Sequence, residues 1–315
     1  MKNYLVRRYT SDDFDLWNQF IAKAKNATFL FHRDFMDYHQ DRFEDYSLMV
    51  FDRDKLVAVL PANRSGEELH SHQGLTYGGL VVRESVKLSA FIEIFESVFL
   101  WSIQNFKKAY FKVIPSIYTT CFSDELLYVL FLKNAQLIRR DTLSVIDYSL
   151  PIKFSSSRKT EIKKGEKHAL QIKQTTDFTE FWNEILIPVL AEKHQAKPVH
   201  SLDEITLLHS RFPENIKQYN VYFEGEVVAG TTLFETDNTV HSQYIGSNAE
   251  RSRLGSLDFL YDFLIKKYAS DKKYFDFGTS NESNGRVLNA GLSYWKESFG
   301  AKTVTQDFYE LDLHL

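Results

Sequence analysis

The sequence repeats one order of elements in its two halves, and this repeat restricts the fold more than any other feature. Apolar runs separated by short polar turns predict one β-hairpin at 47–60 and a second at 220–234. In each half a strand follows, and then apolar residues at helical spacing predict a long helix, at 88–106 and at 257–268. The repeat therefore predicts one folding unit that is present twice.

The full predicted order in each half is strand, two helices, hairpin, strand, helix, strand, helix, strand. A length of 315 residues allows about two domains of ordinary size. We therefore predict an α/β (α+β) fold with two tandem domains, residues 1–150 and 151–315, each a mixed central sheet flanked by helices. The join at 151–165 is rich in serine and basic residues, which indicates either a solvated connector with a positive helix face or a contact for an anion.

Composition disfavours several classes of function. The net charge of −4, without a basic stripe, does not favour a DNA-binding protein, although a local contact for the acceptor end of a tRNA stays open. The one cysteine, Cys121, cannot form an intramolecular disulfide, and His70 and His72 have no evident third metal ligand. The longest apolar stretch, 91–101, is too short to span a bilayer. We expect a cytoplasmic protein without a metal and without integral membrane association; its oligomeric state stays open.

Several short segments carry a resemblance to a known family. They are Leu60-Pro61 with Tyr77-Gly78-Gly79, Ser157-Arg158-Lys159 with Ile162-Lys163-Lys164, Val228-Ala229-Gly230, and Phe275-Asp276-Phe277-Gly278 with the segment 294–301. Together with the element order, they resemble the GNAT fold, duplicated as in the Fem peptidyltransferases and their relatives. The resemblance covers essentially the whole chain, and the closing segment is its most specific part.

This resemblance implies a GNAT/Fem-like N-acyltransferase. The implied donor is acyl-CoA or an aminoacyl-tRNA, used as a co-substrate, and no tightly bound cofactor is expected. The implied acceptor is an amine of a cell-envelope precursor, an amino sugar or a peptide. Two departures concern the donor: the second half lacks the long charged helical arm of some Fem proteins, and Ser252 stands three residues before Gly255, where GNAT phosphate loops have Gln or Arg. The alternative is a non-catalytic ligand-binding protein that retains the duplicated GNAT fold.

The acyl donor is expected at the start of the predicted helix 257–268. The first turn of a helix presents unpaired backbone N–H groups and the positive end of the helix dipole, which together bind phosphate. The expected donor-binding residues are Arg251, Arg253, Gly255, Ser256 and, on the preceding strand, Tyr244. An ordinary loop with a helix cap is the alternative interpretation of the same segment.

Acyl transfer to an amine needs a neutral amine, a positioned carbonyl and donors for the oxyanion, but no protein nucleophile. Lys296 is the expected oxyanion-stabilising residue, because the resemblance matches it to a Fem lysine near the transferred group. Asp276 is a candidate base or acceptor-orienting carboxylate that should point away from Phe275 and Phe277. Glu282 is the second candidate base. A surface lysine and a turn-capping carboxylate are the structural alternatives.

Residues of both halves are expected to contact the acceptor. The expected acceptor-binding residues are Tyr77, Arg158, Ser280, Asn281, Asn284 and Trp295. His241, on the strand predicted at 239–246, is a further candidate base, although a lone histidine on a strand is more typical of a packing residue. Strict alternation along this strand predicts His241 and Gln243 on one face, and Ser242 and Tyr244 on the other.

Overall fold

The structure, a computed structural model, describes residues 2–314. The chain forms two compact units, here called unit 1 and unit 2. Unit 1 contains Met1–Asp141, Ser283–Arg286 and Thr305–Leu315, and unit 2 contains Thr142–Glu282 and Val287–Val304. The units are thus not simple consecutive halves of the chain, and a domain boundary between residues 150 and 151 stays a prediction.

Helices and strands are mixed along the described part of the chain. The helices are α1 (Phe14–Ile21), α2 (Arg33–Met36), α3 (Leu88–Ser102), α4 (Glu125–Leu132), α5 (Ser156–Lys167), α6 (Ile187–His194), α7 (Leu202–Arg211), α8 (Arg251–Leu254), α9 (Ser256–Tyr268) and α10 (Ala290–Glu297). The strands are β1 (Leu5–Arg8), β2 (Glu44–Asp45), β3 (Leu48–Asp52), β4 (Lys55–Leu60), β5 (Asn63–Ser65), β6 (Glu68–His70), β7 (Val81–Val82), β8 (Lys108–Lys112), β9 (Gln136–Asp147), β10 (Gln171–Thr175), β11 (Ile216–Phe223), β12 (Glu226–Glu235), β13 (Thr239–Ser247), β14 (Tyr274–Thr279), β15 (Asn281–Glu282), β16 (Val287–Leu288) and β17 (Lys302–Asp312).

Unit 1 combines two sets of paired strands with one long buried helix. β1, β3, β4 and β7 form an antiparallel sheet in that order, which contains the first predicted hairpin. The second set has the order β17, β8, β6, β5 and β2, in which β6 and β8 run parallel. Phe91, Phe95 and Val98 of α3 are buried in the core of this unit. Each such side chain contributes about 1.5–3 kcal/mol on burial, so the apolar spacing that predicts the helix also positions it.

The strand predicted at 74–82 is largely irregular, and only Val81–Val82 pairs as a strand. A Cβ atom at Gly78 would lie 1.7 Å from the carbonyl oxygen of Ser71, so two backbone segments approach here as closely as only glycine permits. Gly79 then adopts a φ of +114°, which breaks the extended conformation. No pattern in the sequence predicts the short hairpin formed by β5 and β6.

Unit 2 is built on one mixed sheet. Its strands have the order β10, β11, β12, β13, β14 and β9, and only β13 and β14 are parallel to each other. Leu257, Leu260 and Leu264 of α9 pack in one core with Phe275 and Phe277 of β14. The predicted fold class, α/β with mixed sheets flanked by helices, is confirmed by this architecture. No helix within residues 2–314 is long and apolar enough to cross a membrane.

The segment that joins the two predicted domains contains a regular helix, α5. The Ser155 hydroxyl accepts a hydrogen bond from the N–H of Arg158 and caps its first turn. Most of the lysines point outward, whereas Ile162 and Gly165 are buried. A side chain at Gly165 would collide with Phe259 of α9, so this glycine allows the two helices to pack closely.

A bulge interrupts β13 at Gln243. β12 pairs with Tyr244 and then with Ser242, so Gln243 is an extra residue on this strand. The Ser242 hydroxyl accepts a hydrogen bond of 2.9 Å from Tyr261 of α9, whereas the Tyr244 ring packs edge-on against Trp182. The expected strict alternation along this strand is therefore wrong at this point, because an inserted residue shifts the pattern.

Candidate functional site

The parallel ladder between β13 and β14 ends after three pairs, and the candidate site surrounds that end. The ladder starts at Thr239↔Tyr274 and stops at His241↔Asp276, with no further pair between these strands in the part of the chain that is described. On its other side, β14 shifts register against β9 between Asp276 and Thr279. The edge of β13 after His241 is thus open on this side, and an open strand edge offers N–H and C=O groups to an extended ligand.

Asp276 and His241 form a hydrogen-bonded pair where the ladder stops. His241 Nδ1 lies 2.9 Å from Asp276 Oδ2, and Asp276 Oδ1 accepts a hydrogen bond of 2.7 Å from the Gly278 N–H. The Asp276 side chain is fully buried, and that of His241 is 13% exposed. A carboxylate that accepts from one ring nitrogen fixes the orientation of the imidazole and favours proton transfer at the other nitrogen. Asp276 therefore both caps the turn and orients a histidine.

Gly278 makes this arrangement possible. Its φ is +72°, a conformation that residues with a side chain rarely adopt. A Cβ atom at this position would lie 3.2 Å from His241 Cε1 and would press on the imidazole ring. The glycine in the predicted closing motif is therefore required both by the backbone and by the neighbouring histidine.

Lys296 reaches the same turn from α10. Its Nζ donates hydrogen bonds to the carbonyl oxygens of Gly278, at 2.9 Å, and Thr279, at 2.6 Å. The residue is 2% exposed, and burial lowers the pKa of Lys296 to about 8, although the nearby Asp276 carboxylate acts in the opposite direction. An ammonium group held by two carbonyls retains one N–H for a third acceptor. The structure thus brings together two of the three predicted catalytic residues, Lys296 and Asp276.

The polar residues that follow β14 have different surroundings. Glu282, the third predicted catalytic residue, is exposed and accepts a hydrogen bond of 3.0 Å from the Asn289 side chain. Asn281 Oδ1 accepts a hydrogen bond of 2.6 Å from the Thr142 N–H and thereby connects β15 to β9. Ser280 is 3% exposed, and its Oγ has no hydrogen-bond partner within residues 2–314. Since a buried unpaired hydroxyl costs about 1–3 kcal/mol, Ser280 is the one of these suited to a ligand contact.

The first turn of α9 has the backbone expected of an anion site. Gly255 adopts a φ of +65°, and a Cβ atom there would lie 2.2 Å from the Glu161 carbonyl oxygen, so only glycine fits between α8 and α5. Ser256 is fully buried, and its Oγ has no partner in the described part of the chain. An unpaired hydroxyl beside free N–H groups of a helix start suits a phosphate oxygen.

The two arginines before α9 differ. The Arg251 guanidinium carbon lies 5.0 Å from the centroid of the Trp295 ring, and burial lowers the pKa of Arg251. Arg253 forms an ion pair with Glu250, and both of these side chains are about half exposed. Arg251 is therefore partly buried beside Trp295, whereas Arg253 lies on the surface of unit 2.

One carboxylate holds both Arg158 and Trp295. The Arg158 guanidinium forms an ion pair with Asp258, and its Nε donates to Ser298 Oγ at 2.8 Å. Trp295 Nε1 donates to Asp258 Oδ1 at 2.9 Å. Both residues are nine-tenths buried or more, which gives them a packing role beside the first turn of α9. Their expected contacts with an acceptor stay predictions.

The remaining predicted binding residues have other neighbours. The Tyr244 hydroxyl lies 2.6 Å from His200 Nδ1 inside unit 2. Tyr77 is buried in unit 1, and Asn284, also in unit 1, accepts a long hydrogen bond of 3.5 Å from Arg139. Their roles in donor or acceptor binding stay predictions. Among residues 2–314, no group of three or more His, Cys, Asp and Glu side chains is arranged to hold a metal ion.

His241 is a lone strand histidine in the sequence, whereas the structure pairs it with Asp276. His241 is the third residue of β13, and Asp276 is the third residue of β14. Two parallel strands that begin in register place their third residues side by side, as the pair His241↔Asp276 shows. The signal was therefore present in the spacing, but it required knowing that these two strands are parallel neighbours.

Comparison with known proteins agrees with this geometry. Residues 156–296 match the acetyltransferase (GNAT) domain family, and this range includes His241, Asp276 and Lys296. FemX aligns over 98% of this chain and 97% of its own, with a TM-score of 0.66 and 10% identity. A conserved protein of unknown function from Bacteroides thetaiotaomicron VPI-5482 aligns over 98% of this chain and 100% of its own, with a TM-score of 0.59 and 10% identity.

L-PGS from Bacillus licheniformis aligns over 85% of this chain and 83% of its own, with a TM-score of 0.55 and 13% identity. No curated protein sequence matches the chain significantly. At such low identities these likenesses show the fold alone. The chain therefore shares the fold of FemX and L-PGS and contains, over residues 156–296, a match to the acetyltransferase (GNAT) domain family. The matched part of its second half, residues 156–296, is an acyltransferase domain.

Proposed function

We propose that this protein is an N-acyltransferase that moves an acyl or aminoacyl group from acyl-CoA or aminoacyl-tRNA to an amine. The acceptor is an amine of a cell-envelope precursor, an amino sugar or a peptide. The observation that carries the proposal is the open edge of β13 directly after the His241–Asp276 pair, with Lys296 bonded to the same turn. An extended part of the donor pairs with this edge, which brings its carbonyl to the side chains at the end of the ladder.

The chemistry requires no covalent enzyme intermediate. The neutral amine nitrogen attacks the acyl carbonyl carbon, so a C–N bond forms and the C–S bond of a thioester, or the C–O bond of an aminoacyl ester, breaks. His241 Nε2 accepts the proton that the amine loses, and Asp276 stabilises the resulting imidazolium. That proton then passes to the leaving thiolate or alkoxide. Lys296 stabilises the oxyanion through its remaining N–H.

Both donors carry the acyl group on a phosphate-bearing molecule, and the first turn of α9 supports such a donor. Gly255 and Ser256 supply the backbone and an unpaired hydroxyl, and Arg251 adds a positive charge beside Trp295. The absence of a basic residue at position 252 makes this anion contact weaker than in proteins with a full loop, because one charge-assisted hydrogen bond is missing.

The test is a transfer assay with two donors. Acetyl-CoA and a charged aminoacyl-tRNA are each incubated with the protein and a panel of amino sugars, short peptides and cell-wall precursor peptides, and amide products are detected by mass spectrometry. A product that depends on the protein and on Lys296 supports the proposal; Lys302→Met, at an exposed lysine of unit 2, is the matched control. Donor binding without any amide product would instead indicate a binding protein.

A further inference from the structure

Unit 1 contains a pocket of about 600 Å³ that the proposed acyl transfer does not use. Pockets of roughly 300–1,000 Å³ accommodate small organic molecules. The residues that line it include two cations, several aromatic or imidazole rings and an amide. Among them are Lys112, Arg139, His70, Tyr110, Phe308 and Asn284.

Lys112 is the central cation of the pocket. Its Nζ donates hydrogen bonds to the carbonyl oxygens of Gln73, at 3.0 Å, and Leu75, at 2.7 Å. Burial lowers the pKa of Lys112 to about 8, and the positive charge of Arg139 acts in the same direction. Two neutral carbonyls orient the ammonium group but do not neutralise it, so it keeps one N–H and its full charge for another partner.

The other charged groups around the pocket are already paired. Arg139 forms two hydrogen bonds with the Asp141 carboxylate, at 2.9 and 2.6 Å, and His70 Nε2 lies 3.0 Å from a carboxylate oxygen of Glu68. Burial lowers the pKa of His72 well below its usual range, so this ring is neutral at neutral pH. Burial also lowers the pKa of His70, so this ring adds no positive charge either. Among the side chains that line the pocket, Lys112 is therefore the cation without a carboxylate partner.

Flat surfaces adjoin this charge. The His70 ring stacks on the Tyr110 ring with centroids 4.7 Å apart and an interplanar angle of 8°. The Arg139 guanidinium carbon lies 4.5 Å from the centroid of the Phe308 ring. Stacked rings and a guanidinium on an aromatic face provide platforms for a further planar group. A cation or metal ion is disfavoured here, because the charge that Lys112 presents to the pocket is positive. The Asp141 and Glu68 carboxylates are already bonded to Arg139 and His70.

We propose that this pocket binds an organic oxyanion, a phosphate monoester or a carboxylate on a planar ring, with the oxyanion at Lys112 and the ring against Phe308 and Tyr110. The Asn284 amide and the remaining N–H groups of Arg139 supply additional donors. The size of the pocket argues for a whole small molecule rather than for a free inorganic ion, which would fill a small part of it. The inference stands on unit 1 alone and does not depend on acyl transfer.

The experiment measures binding by calorimetry at neutral pH and low salt with three probes: phenyl phosphate, benzoate and inorganic phosphate. Wild-type protein should bind phenyl phosphate or benzoate more tightly than inorganic phosphate, and the tighter of the two aromatic probes identifies the oxyanion. Lys112→Met should weaken that binding by about 10-fold or more, since a charge-assisted hydrogen bond is lost. Lys112→Arg, which keeps the charge, should retain more of the affinity for the aromatic anion than Lys112→Met does. Lys107→Met, at an exposed lysine of the same unit, should leave the affinity for the aromatic anion within about twofold of the wild-type value.

A second measurement needs no variant and covers the case in which Lys112→Met does not fold. Wild-type protein is labelled with an amine-reactive ester, and the modification of each lysine is followed by mass spectrometry. The best-binding aromatic anion should reduce labelling of Lys112 several-fold and leave Lys107 unchanged. Absence of saturable binding by every probe at millimolar concentration, or equal labelling of Lys112 with and without anion, overturns the proposal.

Discussion

Unit 1 and unit 2 each contain a buried lysine with the same immediate bonding. Lys112 and Lys296 both donate two hydrogen bonds to backbone carbonyls, and burial lowers the pKa of each to about 8. Their second neighbours differ. Lys296 lies near the Asp276 carboxylate, which is bonded to His241, whereas Lys112 lies near the cation Arg139.

This difference shows that burial alone does not assign a role to a lysine. A lowered pKa follows from desolvation in both places. In unit 2 the adjoining groups can accept and donate protons beside an open strand edge, which suits the proposed acyl transfer. In unit 1 the adjoining groups are rings and an engaged arginine around a pocket, which suits the binding of an anion. Four experiments test this contrast.

The largest expected effect is at His241. Replacing it in His241→Gln removes the proposed base, and turnover should fall by about 100-fold to 10,000-fold, the usual contribution of general base catalysis. The KM for the donor should change little, because the substitution leaves the backbone edge of β13 in place. Steady-state kinetics of amide formation measure both constants. His168→Gln, a partly exposed histidine at the end of α5, is the control. Normal turnover in His241→Gln would remove the distinction between the two lysine regions.

The second effect is at Lys296. In Lys296→Met the oxyanion loses one charged donor, and turnover should fall by about 100-fold to 1,000-fold. Wild-type turnover should also decrease as the pH rises through about 8, where Lys296 loses its proton, and this decrease should be absent from the residual activity of the variant. Initial rates across this pH range test both statements. A residual rate with the same alkaline decrease would assign the titration to another group.

The third effect concerns stability, and its sign is the same in both units. The pKa of Lys296 is about 8 in the folded protein, below the ordinary value of 10.5 that it regains on unfolding. The unfolded chain therefore binds more protons between these values, and the unfolding free energy should rise with pH across this window, by about 3 kcal/mol for Lys296. Lys112 should add a rise of the same direction. Below pH 8 the full cost of the buried charge is present.

Denaturant unfolding near neutral pH and near pH 10 measures this rise. Lys296→Met should be at least as stable as the wild type near neutral pH, because it removes a buried charge, and its unfolding free energy should increase less with pH. A variant whose stability rises with pH as steeply as the wild type would show that the Lys296 ammonium is solvated, and the parallel with Lys112 would fail.

The local elements could be predicted from sequence, because their signals are local. The two hairpins, α3 and α9 follow from turn residues and from apolar spacing over a few turns. The irregular stretch before β7 could not, since it depends on the contact of Gly78 with Ser71. The assignment of 283–286 and 305–315 to unit 1 is likewise a long-range property of the folded chain. Sequence patterns carry little information about which distant segments meet.

The candidate site divides in the same way. Asp276, Gly278 and Lys296 are close in sequence within one motif, and the structure brings them to one turn. His241 joins them only through the parallel register of β13 and β14, which no local pattern specifies. The Arg158–Asp258–Trp295 cluster could not be inferred either, because its carboxylate belongs to α9, for which the residue spacing predicts only an apolar buried face.

The smallest expected effect is at Gly278, and it separates backbone strain from damage to the site. Gly278→Ala forces a side chain into a left-handed conformation, which costs about 1–2 kcal/mol, and brings Cβ to 3.2 Å from His241 Cε1. Gly66→Ala in unit 1 is the matched control: its φ is +59°, and no atom lies within 4 Å of its Cβ position. Both variants should lose similar stability, measured by thermal unfolding. Only Gly278→Ala should also lose about 10-fold in turnover, since a small displacement of a base reduces the rate steeply. Equal turnover in the two variants would mean that the position of the His241 ring does not matter for catalysis, and the chemical role given to unit 2 would then rest on Lys296 alone.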